Sequence, residues 1–164
     1  MTGVRPLVIR TLLLMLVLVI ADACDPNRVY EDHHEFKKRT WVLSDEPTFA
    51  FEVKDSAQFY NLYYNIRNSL DYPYSRIFVS CALYDSAGNE LQRKLLQHEL
   101  FDPAGRPLGE SGLGDLYDHQ FPILGDYRFT TRGHYSVRFT QFMRQDTLPG
   151  VLAIGLRVER REVE

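Results

Sequence analysis

Apolar and polar residues alternate along most of the chain, and the alternation comes in blocks. Phe49, Phe51 and Val53 are separated by Ala50 and Glu52, while Tyr60, Leu62, Tyr64 and Ile66 interleave with Asn61, Tyr63, Asn65 and Arg67. Ile77, Val79, Cys81 and Leu83 share one phase of a third block. Tyr135, Val137, Phe139 and Gln141 oppose His134, Ser136, Arg138 and Thr140. Leu152, Ile154, Leu156 and Val158 oppose Ala153, Gly155, Arg157 and Glu159. Successive side chains of a strand point to opposite faces, so this period predicts half-buried strands, all the more with aromatic and β-branched residues on one phase.

Turn formers separate the blocks. Asp85-Ser86-Ala87-Gly88-Asn89 lies between the Ile77 block and Glu90-Leu91-Gln92-Arg93, which predicts a hairpin. Asp102-Pro103-Ala104-Gly105-Arg106-Pro107, Gly125-Asp126 and Leu148-Pro149-Gly150 predict further turns. Lys94 to Phe101 fits a helix or a strand equally, and no other segment has helical spacing. About eight short strands with frequent turns predict an all-β fold, an antiparallel β-sandwich of jelly-roll or immunoglobulin-like type. That domain is expected over residues 36–164.

The amino terminus is different. Arg5 and Arg10 precede an apolar run from Leu12 to Ala21, about half the roughly 20 residues a spanning helix needs. A basic flank, a short apolar run and small residues after it predict a secretory leader over 1–23. The run ends at Ala21-Asp22-Ala23-Cys24, the layout of a lipobox, in which the cysteine takes a diacylglyceryl thioether and the leader is cut before it. A lipidated Cys24 holds the mature protein on a membrane. The alternative is an ordinary leader cut after Ala23. Residues 24–35, with Glu31-Asp32-His33-His34-Glu35 at their end, read as a solvated tether rather than a metal site, because adjacent histidines on an extended chain point opposite ways.

Composition narrows the function classes. Across 164 residues, 45% hydrophobic and 13% aromatic, there is enough apolar material for a core, which excludes disorder for most of the chain. Losing Arg5, Arg10 and Asp22 with the leader moves the formal net charge from -3 to -4, the wrong sign for nucleic acid. Two cysteines make no disulfide scaffold, and Cys81 in its apolar block reads as a small buried thiol. No nucleophile motif accompanies His98, His119 and His134, so no catalytic residue and no cofactor are expected.

Two segments invite a binding role. Tyr60, Tyr63, Tyr64, Tyr72 and Tyr74 cluster around Asn61, Asn65, Arg67 and Asn68, a composition suited to a protein interface or to sugar rings stacked on a sandwich face. Gly109 to Asp118 is rich in glycine and reads as a shaped surface loop, with a cation between Asp115 and Asp118 as the alternative. Tyr63, Arg67, Asn68, Tyr72, Asp115 and Asp118 are therefore the candidate partner contacts.

The same segments resemble the gliding-motility lipoprotein GldH family of the Bacteroidota. The resemblance rests on Cys24, on Trp41 ahead of Phe49-Ala50-Phe51, and on Tyr60 to Asn68 followed by Tyr72-Pro73-Tyr74. Gly112 to Asp118, Gln141 to Val151 and Gly155 to Glu159 complete it. It implies a non-catalytic envelope lipoprotein of the gliding or type IX secretion machinery, anchored by Cys24 and partnered by other envelope proteins. The outer membrane, facing the periplasm, is the expected location. A glycan-binding envelope module is the second reading, and an envelope hydrolase a distant third.

Overall fold

A computed structural model describes residues 25–161, so the predicted leader and Cys24 lie outside the described residues. Eleven strands follow one another: β1 (Arg28–Glu35), β2 (Thr40–Val42), β3 (Thr48–Val53), β4 (Tyr60–Ser69), β5 (Arg76–Tyr84), β6 (Glu90–Glu99), β7 (Glu110–Ser111), β8 (Leu116–Tyr127), β9 (Gly133–Gln141), β10 (Thr147–Pro149) and β11 (Val151–Arg160). All pairings are antiparallel. A five-stranded sheet runs β1-β11-β4-β8-β7, a four-stranded sheet runs β3-β9-β5-β6, and β10 pairs β2 at one end.

The apolar phases of the blocks face one another between the two large sheets. Leu62, Tyr64, Ile66, Ile154, Leu156 and Val158 line one side, and Phe49, Phe51, Val79, Leu83, Val137 and Phe139 the other, all buried. Aromatic rings bridge the layers. Tyr64 lies 5.9 Å from Phe139, Tyr30 lies 6.0 Å from Phe51, and Phe129 meets Tyr60 at 5.4 Å. Full burial of each such ring is worth about 2–3 kcal/mol of transfer free energy. Trp41 closes one end, fully buried, stacked on Phe36 at 4.9 Å and donating from Nε1 to the Asp45 carbonyl. The predicted β5–β6 hairpin is present, with Gly88 at φ +82° and Asp85 accepting from the Ala87 and Asn89 amides.

Three expectations change, and one left open between helix and strand is settled. Among the described residues the strands number eleven rather than about eight, the additions being short pieces at the rims together with β1 and β8. Residues 28–35 are not a tether. They form β1, paired with β11 along its length, and their period is masked because the inward positions Asp32 and His34 sit at the open edge of the sheet, where polar groups stay wet. Gly125-Asp126 is not a turn between strands. It lies inside β8 beside a bulge, where the Asp126 amide donates to Asn61 Oδ1. Lys94 continues a strand, β6, and not a helix.

Candidate functional site

In an antiparallel sheet, directly paired residues share a face, so the register lays out the outer surface of the five-stranded sheet row by row. One row is Glu35, Ala153, Arg67, Asp118 and Glu110 across β1, β11, β4, β8 and β7. The next is His33, Gly155, Asn65 and Gln120, and a third is Glu31, Arg157, Tyr63 and Pro122. On β11 the outward positions of the first two rows hold only alanine and glycine, while β1 and β4 on either side carry long polar chains. The result is a trough of about 850 Å³. Leu108 and Gly109 form its far lip, close against the His119 ring.

Charge and hydrogen bonding set its character. Arg67 donates from Nε at 2.8 Å and from Nη2 at 3.0 Å to the two carboxylate oxygens of Asp118. This two-point pair raises the Arg67 pKa further above the ordinary arginine value. Two rows along, Arg157 donates to Glu31 at 3.0 Å, and also to Asp25 and Glu159. Burial holds the His119 pKa below the ordinary histidine value against the opposing charge of Asp118, and its Nε2 has no hydrogen-bond partner among the described residues. The trough therefore offers amides, carboxylates and a guanidinium spaced by the roughly 4.8 Å strand separation, a surface for a polar ligand segment.

The sequence-predicted contacts divide. Arg67 and Asp118 meet inside the trough, and Tyr63 lies half-buried two rows away. Asp115 sits in the exposed turn before β8, where its carbonyl accepts from the Leu70 amide and its carboxylate lies 3.7 Å from Arg39. Asn68 and Tyr72 are buried and have no surface to offer a partner. Asn68 donates to the Ser69 carbonyl, and Tyr72 donates to the Arg76 carbonyl and stacks on Phe101. Tyr60 and Tyr64 are core as well, so the dense tyrosines do not form a stacking platform. The predicted contacts leave out His33, Asn65, Gln120 and Glu110, which line the trough. The phase of β4 carried the signal for Asn65, since Tyr63, Asn65 and Arg67 share its polar side. Among the described residues no group of three His, Cys, Asp or Glu gathers to hold a metal ion.

Cys81, as expected, is a buried thiol, pushed up by burial to about 12. It is a packing residue of β5.

Fold and site together define a small antiparallel β-sandwich with an open polar trough on one outer face. The sequence model of the GldH lipoprotein family matches residues 28–158, and the chain belongs to that family. It is 28% identical to the gliding motility lipoprotein GldH homolog of Christiangramia forsetii, over 88% of this chain and 91% of that protein. It is 26% identical to the gliding motility lipoprotein GldH of Flavobacterium johnsoniae, over 92% of this chain and 96% of that one. Among solved structures, a family GH115 4-O-methyl-alpha-glucuronidase aligns over 86% of this chain and 18% of its own, with a TM-score of 0.43 and 10% identity.

Proposed function

We propose that the protein is a non-catalytic, Cys24-anchored lipoprotein of the gliding and type IX secretion machinery, at the periplasmic face of the outer membrane. In this reading it acts by holding a polar segment of another envelope protein in the trough. The near full-length similarity to two gliding motility lipoproteins supports the process. The observation that carries the mode of action is the Arg67–Asp118 pair, which joins the tyrosine-rich strand β4 to the glycine-rich β7–β8 segment in one exposed surface. The buried Cys81 thiol, its pKa raised, is not a reactive thiolate.

The test is a pull-down of tagged, lipidated protein from gently solubilised envelopes, with identification of what is recovered. Gliding or secretion components should be recovered with the wild type, be lost with Arg67→Asp, and return with the swapped pair Arg67→Asp/Asp118→Arg. Recovery of polysaccharide instead would favour the glycan-binding module, and unchanged recovery with Arg67→Asp would remove the trough from the mechanism.

A further inference from the structure

The residues directly after Cys24 are already fixed to the domain. Asp25 Oδ1 accepts from the Asn27 amide at 3.0 Å, its carbonyl accepts from the Arg28 amide at 3.3 Å, and its other carboxylate oxygen takes the Arg157 guanidinium. Arg160 secures the next two residues, its amide donating to the Asn27 carbonyl at 2.8 Å and its Nη2 to the Pro26 carbonyl at 2.6 Å. Consecutive Cα atoms are about 3.8 Å apart, so no slack chain separates Cys24 from folded structure. An acyl chain on Cys24 draws this end of the sandwich to the bilayer, a consequence that rests on the lipid anchor proposed above.

One exposed aromatic ring stands at this end. Phe59, 41% exposed, lies beside the carboxy-terminal end of β11, its carbonyl accepting from the Arg161 amide at 2.8 Å. At the same end, joined by strand register, hydrogen bonds or ion pairs, lie Arg28, Arg128, Arg160 and Arg161 together with Asp25, Glu31, Asp126 and Glu159. Asp126 is itself paired with Arg161 at 3.0 Å. An exposed ring among amphipathic arginine side chains suits the headgroup layer of a bilayer.

We propose that this end rests on the bilayer that holds Cys24, with Phe59 at the interface. The opposite end is thereby held outward. It carries the Lys37–Arg39 turn, Leu70 and the loop tip Leu113, which is 92% exposed. The eight residues of β1 separate the two ends by roughly 26 Å.

The experiment reads depth by tryptophan quenching. Lipidated Phe59→Trp and Leu113→Trp proteins are placed in phosphatidylethanolamine–phosphatidylglycerol vesicles containing lipids brominated on their acyl chains. Trp41, fully buried, supplies a constant background. Emission from Phe59→Trp should be blue-shifted and quenched several-fold more than emission from Leu113→Trp. Equal quenching, or stronger quenching at Leu113→Trp, overturns the orientation. Detergent partition of Cys24→Ala protein is the separate control. If it partitions like the wild type, the anchor is wrong; if it stays aqueous while Phe59→Trp is unquenched, only the orientation is wrong.

Discussion

Arg67 and Asp118 are far apart in the chain yet face each other across β4 and β8, the guanidinium meeting the carboxylate at two points, 2.8 and 3.0 Å. The side chains are 47% and 43% exposed. An exposed pair contributes about 0–1 kcal/mol, so stability does not explain the investment of two strands in this geometry. Arg67→Ala should shift urea unfolding by no more than about 1 kcal/mol while abolishing recovery of envelope partners. A large loss of stability would instead make the pair structural.

The pairing of β1 with β11 makes a second prediction. A chain begun at Phe36 lacks β1, leaving the backbone of β11 as an open edge and uncovering Phe51 where Tyr30 packs. A chain begun at Asp25 keeps both. The longer chain should be soluble with a cooperative thermal transition, and the shorter one should aggregate; circular dichroism and sedimentation decide. A soluble, folded Phe36 chain would restore the tether reading.

Gly155 tests the close approach of those strands. A Cβ there would stand 2.8 Å from the Asp32 carbonyl oxygen and 3.3 Å from His33 Cβ. Backbone cannot give way as a side-chain tip can, so Gly155→Ala should push β1 off β11 and cost about 1–3 kcal/mol in denaturant unfolding. A neutral result would mean the edge strand shifts freely.

The sandwich was legible where one face of a strand is core and the other is water. β3, β4 and β9 satisfy that condition along most of their length, and the apolar phases of β5 and β11 are buried too apart from Leu152, although Ser80, Ala82, Ala153 and Gly155 leave little of their other face in water. β1 failed it because its rim positions Asp32 and His34 are polar, and β8 failed it because Pro122 and Gly125 interrupt the pattern at bulges. Arg67 and Asp118 were readable as charged residues in unusual contexts. The trough was not, because it is made by what β11 lacks at Ala153 and Gly155, and an absence gains meaning only once the register is known. Asn68 and Tyr72 looked like contact residues because sequence gives a residue's chemistry and not its depth.

Two histidines predict the response to mild acid. Burial lowers the pKa of His119 and of His98, whose rings flank Phe121 at 5.5 and 4.0 Å. A histidine with a lowered folded pKa binds fewer protons in the native state, so its contribution is complete above the ordinary value of 6.5 and is lost as pH falls below it. Thermal midpoints should therefore fall between pH 7 and about 5, before carboxylates titrate. His119→Gln should flatten that slope; a slope unchanged in the variant would assign it elsewhere.

Arg157 gathers three carboxylates, Asp25, Glu31 and Glu159, on the outward side of β11, with 18% of its side chain exposed. Burial by itself would raise the Glu31 pKa, but hydrogen bonds from Arg28 and Arg157 outweigh it and the net shift is downward. A carboxylate lowered in the folded state contributes stability above its ordinary value of 4.5 and loses it as pH falls through the folded value. Arg157→Ala should thus cost about 1–2 kcal/mol at pH 7, because the freed carboxylates repel one another while staying partly hydrated. Arg157→Lys should recover less than half of that loss, since a single ammonium cannot span three partners as a planar guanidinium does. The difference between wild type and Arg157→Ala in urea unfolding should shrink as the pH is lowered below 4.5, where protonation removes the charges that Arg157 holds together. A difference that persists undiminished at low pH would mean that Arg157 acts through packing of its aliphatic stem against the strand and not through charge.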